Sequence, residues 1–244
     1  MPGHQQVAMT DERKSDIIVG RQNMRKFLLT TTLIAGLGAP VTSAHAQDMT
    51  PYADMPAGVY NIDQTHAQII WQVSHLGLSD YTARFSEFDA QLTFDPKNPE
   101  NSKLEATIDP TSIKTHHPKS EDTDFDKELA QGEGWFNAGA YPDIKYVSNS
   151  ITKTGEHTGT MSGDLTFLGV TKPLTLDVEF NGAMEEQTFS KKPTLGFSAK
   201  GSLNRSEWGM DKYVPNIGDE VKIMIEAEFA KAANEVSQEN EDAQ

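Results

Sequence analysis

The chain contains no cysteine. Disulfides and thiolate chemistry are therefore excluded, and whatever the protein does it does with a fold that stands on its packed interior. Basic residues are scarce: 21 Lys and Arg face 36 Asp and Glu over 244 residues. A formal charge of −15 argues against nucleic acid and against anionic lipid head groups as partners. No apolar run reaches the roughly 20 residues that a membrane-spanning helix needs. The sequence also has no G-x-S-x-G, no H-E-x-x-H and no phosphate-cradling glycine loop.

The apolar stretch Phe27–Ala39 follows Arg25 and Lys26 and leads to Ala44-His45-Ala46. Basic start, short apolar core and A-x-A end are the organisation of a secretory signal over residues 24–46, cleaved after Ala46. Export to the periplasm is the expectation. Residues 1–23 are polar and aperiodic, an over-extended start or a disordered leader. Of the charged residues, five basic and three acidic fall in the first 46, leaving 16 and 33, a net charge near −17. Residues 47–57 read as a linker, residues 58–231 as one domain, and the acidic stretch 232–244 as a disordered tail.

The body of the chain alternates apolar and polar residues at a period of two. Leu174, Leu176, Val178 and Phe180 fall on one face of a strand, after a turn bracketed by Gly169 and Pro173. The same pattern places Ile69, Trp71, Val73 and His75 together, and likewise Phe88, Ala90, Leu92 and Phe94. It recurs over Leu104–Ile108, Leu195–Ala199 and Val221–Phe229. Turn-rich segments such as "DPKNPEN", "KTGEHTG" and "NIGDE" separate the strands. Roughly eight strands with no alternating helices give an all-β protein, an antiparallel barrel or a sandwich. One helix is expected, over residues 120–131, with Ser120 as its N-cap.

Four segments, in order, resemble the YceI-like family of exported lipid- or polyisoprenoid-binding proteins. They are "YNIDQTHAQIIWQVSHLGLSDYTARFSEFDAQLTFDP", "WFNAGAYPDIKYVSNSI", "MSGDLTFLGVTKPLTLDVEF" and "GSLNRSEWGMDKY". The resemblance implies an extended antiparallel β-barrel of about eight strands, lipocalin-like, with the short helix in a long loop. It further implies that the apolar faces line a lumen holding an amphipathic lipid, an isoprenoid such as a quinone or a polyprenyl phosphate.

On that basis the ligand-binding candidates are Ile69, Trp71, Val73, His75, Phe88, Leu92, Trp135, Phe136, Leu176, Val178, Phe197, Arg205, Ile223 and Ile225. His75 serves as a satisfied core histidine or as a partner for a head group. Arg205 interrupts a neutral strand, so it pairs either with Asp124, Asp126 or Glu128 or with an anionic head. Asp63 and His66 share a turn and cap it. Adjacent His116 and His117 point to opposite sides, so no shared metal is expected. No cofactor and no catalytic residues are expected. Two other functions remain open: an enzyme acting on a lipid head group through His75 and an acid, and an accessory protein in transient contact with a membrane redox protein, its lumen filled by its own side chains.

Overall fold

The computed structural model describes residues 49–118 and 123–233. The expected signal and leader, the loop segment 119–122 with Ser120, and residues 234–244 lie outside the described residues. The strands are β1 (Gly58–Ile62), β2 (Gln68–His75), β3 (Ser79–Phe85), β4 (Phe88–Phe94), β5 (Lys103–Ile108) and β6 (Ile113–Lys114). They continue as β7 (Ile144–Lys153), β8 (Thr158–Phe167), β9 (Val170–Met184), β10 (Thr194–Asn204) and β11 (Ile217–Lys231). One helix, α1 (Phe125–Gln131), sits between β6 and β7.

All pairings are antiparallel, and eight strands close a ring in the order β1-β4-β5-β7-β8-β9-β10-β11, with β11 returning to β1. The fold is a barrel, which decides between the two all-β architectures that alternation leaves open. Closure removes every edge strand from the ring. The long β11 serves two neighbours on one side: Phe229–Lys231 pairs with β1, while residues from Ile217 to Glu226 pair with β2. Strands β2, β3 and β6 thus extend the barrel wall beyond the ring at one end.

Two local irregularities create this extension. Between β1 and β2, the Asp63 carboxylate accepts from the Thr65 N–H at 2.9 Å and from its hydroxyl at 2.6 Å, winding one 3-10 turn. Between β3 and β4, the continuous strand suggested by "RFSEFDAQLTF" breaks at Ser86-Glu87. There the Ser86 hydroxyl donates to the Ser112 carbonyl at 3.0 Å. The two-residue break resets the phase, so Phe85 and Phe88, three apart, are both buried. Strand β4 then shows the alternation without fault, with Phe88, Ala90, Leu92 and Phe94 buried and the residues between them exposed.

The β8–β9 hairpin turns at Leu168 (φ 48°) and Gly169 (φ 74°), the two positive angles of a type I′ turn. A side chain at Gly169 would also strike the Tyr141 ring, 2.7 Å from the position of a Cβ. The strand begins at Val170, and Pro173 stands within it opposite Asp164 instead of bounding the turn. Helix α1 is shorter than the expected 120–131: it starts at Phe125, and Asp124 caps it by accepting from the Lys127 N–H at 3.2 Å. Asp126 faces back to β6 and accepts from the Thr115 N–H and hydroxyl.

Residues 49–57 of the expected linker are packed on the barrel. Met55 is 2% exposed, the Thr50 N–H donates to the Ala183 carbonyl at 2.8 Å, and the fully buried Tyr60 donates its hydroxyl to the Pro56 carbonyl at 2.7 Å. Burial pushes the Tyr60 phenol up to about 12. At the other boundary, Ala232 still donates to the Val59 carbonyl at 3.0 Å, so the packed domain reaches past residue 231.

Candidate functional site: an apolar lumen with one polar mouth

The barrel encloses a cavity of about 360 Å³. Its wall is aliphatic and aromatic. Ile69, Trp71, Val178, Phe197, Ile223 and Ile225 lie mid-strand and line it, yet none is fully buried. Inward-facing side chains that keep part of their surface mark where the interior is not filled by its own packing, although Leu165 and Leu176 on the same wall are buried. A packed core of this length would bury them to the level of Leu195, which has no exposed surface.

Thirteen of the fourteen candidate residues line this cavity: all except His75. His75 keeps the inward phase of Ile69, Trp71 and Val73, but it is the last residue of β2 and is exposed there. It is neither a core histidine nor a lumen residue, being exposed at the strand end although its partner Ile217 lines the cavity. Periodicity sets the face a residue is on and carries no information about where the enclosure stops.

The end of the barrel next to His75 is closed. Phe136 puts its ring 5.4 Å from Phe85, 6.2 Å from Trp71 and 5.8 Å from Phe167, spanning β2, β3 and β8 from the loop after α1. Trp208 is buried beside it and donates its indole N–H to the Leu165 carbonyl at 3.2 Å. The indole N–H groups of Trp71 and Trp135 are buried without an acceptor among the described residues.

Arg205 completes this closed end, and its partners differ from the expected carboxylates of α1. It is 3% exposed and donates to four backbone carbonyls. Nε reaches Gly218 at 2.8 Å, Nη1 reaches Met210 at 2.7 Å, and Nη2 reaches Lys212 at 2.9 Å and Ile217 at 3.0 Å. The planar fork thus gathers the whole β10–β11 connection around one side chain. Burial pulls the guanidinium below its ordinary value, and the nearby charges of Asp219 and Asp211 oppose that shift.

The opposite end is polar and exposed. Tyr52, Glu100, Lys153, Glu156, His157 and Thr158 line the lumen there, and all but the half-buried Tyr52 are exposed. Lys153 Nζ donates to the Tyr52 hydroxyl at 3.0 Å and lies 5.3 Å from the centre of its ring. The Lys153 N–H donates to Glu100 at 3.1 Å. His157 stacks on Phe180 with ring centres 6.0 Å apart, and Tyr52 meets Phe180 edge-on at 5.7 Å. The hydrogen bond to Tyr52 holds the Lys153 ammonium above its ordinary value, with the charges of Glu156 and Glu100 adding to the effect. None of these mouth residues is among the sequence candidates. Phe180 is in phase with Leu176 and Val178 and was within reach of alternation. Tyr52, Lys153 and His157 stand in segments that look like linker and turn, where no periodicity marks a binding surface.

Outside the lumen, Asp63, His66 and Glu228 bring ligand-type atoms within 4.8 Å of one another. Asp63 and His66 cap their turn as the sequence suggests, with His66 Nδ1 3.0 Å from the Asp63 carboxylate.

A family model described as YceI-like domain matches residues 60–229. Protein YceI of Escherichia coli O6:H1 is 33% identical over 174 residues, covering 70% of this chain and 86% of that protein. Among solved structures, Burkholderia cenocepacia BcnA superposes with a TM-score of 0.58 at 23% identity, over 68% of this chain and 98% of that one. A polyisoprenoid binding domain from Saccharophagus degradans, described as implicated in plant cell wall breakdown, superposes with a TM-score of 0.51 at 12% identity. That match covers 72% of this chain and all of the other.

Proposed function

The chain belongs to the YceI-like family, and from that premise we propose that it is a binding protein that carries one amphipathic isoprenoid lipid in its barrel lumen. The observation that carries this is the partly exposed apolar wall: Trp71, Phe197 and Ile225 pack against the buried shell on one side and line a cavity of about 360 Å³ on the other. Apolar burial contributes about 0.8 kcal/mol per CH₂. A slender hydrocarbon chain of about ten carbons therefore gains about 8 kcal/mol from dryness before any polar contact is made. The polyisoprenoid-binding protein of matching fold supports an isoprenoid as the class. The role needs no catalysis: the lumen wall is predominantly aliphatic and aromatic, and most of its charged groups stand at the two ends.

Export fits this role. The basic–apolar–small pattern of residues 24–46 supports secretion to the periplasm with cleavage after Ala46, where an apolar molecule needs a carrier to cross water. N-terminal sequencing of the soluble exported protein should begin at Gln47; a soluble protein retaining Met24 contradicts it. The binding role is tested by extracting protein purified from its own cell envelope with organic solvent and identifying what is released by mass spectrometry. A stoichiometric isoprenoid is expected. Protein free of lipid throughout would favour the accessory role with a self-sufficient interior.

A further inference from the structure

The mouth decides the kind of head group. Resting on the lipid-binding role, we infer that the lumen selects isoprenoids whose head is uncharged and accepts hydrogen bonds, such as an alcohol or a quinone, and disfavours phosphate and diphosphate heads. The chemistry at the two ends carries this.

An anionic head is favoured by net positive charge where it docks and opposed by net negative charge. Among the described residues lining the lumen, the permanent cations are Lys153 and Arg205. Arg205 is at the closed end, buried, with its guanidinium spread over four backbone carbonyls. Lys153 is at the mouth, but Glu100 and Glu156 line the same opening and both act on its charge. His157 is beside Glu156 as well, Nε2 3.9 Å from the carboxylate. Two carboxylates against one ammonium leave the rim net negative. Lys103, which flanks the lumen-lining Ser102 and Leu104, commits its ammonium to the Asn149 carbonyl at 3.2 Å.

Neutral hydrogen bonding is provided for. The Tyr52 hydroxyl accepts from Lys153 and keeps its own proton to donate. The Thr158 hydroxyl accepts from Thr154 at 3.1 Å and likewise keeps its proton. Both line the mouth. A carbonyl or hydroxyl oxygen at the mouth has neutral O–H donors to accept from, while a phosphate placed there meets Glu100 and Glu156.

The test holds the hydrocarbon fixed and varies the head. Stripped protein is equilibrated by dialysis with geranylgeraniol, its monophosphate and its diphosphate, at low and at high salt. The neutral alcohol is expected to bind about tenfold or more tightly than the diphosphate at low salt, and salt should narrow the gap because exposed charges are screened. Replacing both carboxylates (Glu100→Gln with Glu156→Gln) should shrink the alcohol-to-diphosphate affinity ratio several-fold, and an unchanged ratio overturns the part given to them. Both side chains are exposed, so the fold is not at stake. Diphosphate binding equal to or tighter than the alcohol overturns the head-group inference and leaves lipid binding standing. Binding of none of the three overturns lipid binding as well.

Discussion

The ammonium of Lys153, at the end of β7, donates to the phenol of Tyr52 at 3.0 Å, joining the β7–β8 hairpin to the segment that precedes the first strand. That segment lies along the mouth, anchored on one side by the buried Met55 and on the other by the Thr50–Ala183 backbone bond. Tyr52 also packs edge-on against Phe180, so it stands where a ligand must pass.

Tyr52→Ala should therefore speed lipid exchange more than it lowers stability. The ion–phenol contact is exposed and adds little to stability, while the aromatic barrier at the mouth disappears. Transfer of a loaded isoprenoid to acceptor vesicles, followed over time, is expected to accelerate several-fold with only a modest fall in melting temperature from the lost Phe180 contact. An unaltered transfer rate would remove Tyr52 from the exit path.

Arg205 should behave as a structural residue and not as a head-group ligand. Arg205→Met leaves four carbonyls of the β10–β11 connection without their donor, and buried unsatisfied groups cost about 1–3 kcal/mol each, not additively. A loss of about 3 kcal/mol or more in urea unfolding is expected. Arg205→Lys should rescue little of it, since an ammonium cannot reproduce the planar fork. A loss below about 1 kcal/mol would contradict the assignment.

The Asp63–His66 pair makes a pH-dependent contribution. Hydrogen bonds from Thr65 and His66 hold Asp63 below its ordinary value, and the bond to Asp63 holds His66 above 6.5. A lowered carboxylate stabilises the fold above its unfolded pKa and loses that effect as pH falls. A raised histidine stabilises below 6.5 and loses its effect as pH climbs through the folded value. The pair therefore contributes most between about pH 4 and 6.5. NMR titration should give His66 a pKa above 6.5 that returns toward it in Asp63→Asn. An unshifted His66 in the unaltered protein contradicts the pairing.

Much of the wall was legible from alternation alone, because a period of two assigns a face wherever a strand is unbroken. Leu92, Leu176 and Ile223 needed nothing more. What escaped depends on interruptions and ends. The Ser86-Glu87 break rests on bonds to Ser112, 26 residues away, and no local pattern encodes it. His75 shows the complementary failure: its face is correct and its depth is not. For Arg205, the rule that a buried charge needs a partner held, but the partners are carbonyls of a loop whose path only the fold reveals. The mouth was least legible, since Tyr52, Glu100, Lys153 and His157 come from three separate segments brought together by barrel closure.

Trp71 separates an open lumen from a solid core. Removing a tryptophan from a packed core costs about 3–5 kcal/mol. Trp71 instead lines the cavity, and its buried indole N–H has no acceptor among the described residues, so its removal also relieves an unmade bond. Trp71→Ala in stripped protein should cost about 1–2 kcal/mol and shift binding toward bulkier chains. A full core penalty in stripped protein would mean that the wall closes on itself.

The most direct measurement is thermal unfolding of the protein as purified, after stripping with solvent, and after reloading with an isoprenoid. A ligand that binds only the native state at a hundred times its Kd stabilises by about 2.7 kcal/mol, roughly 5–10 °C for a domain of this size. Lipid carriage predicts a drop of that order on stripping and its recovery on reloading. An identical melting temperature in all three samples would show that nothing in the lumen supports the fold, and would contradict a lipid-filled barrel.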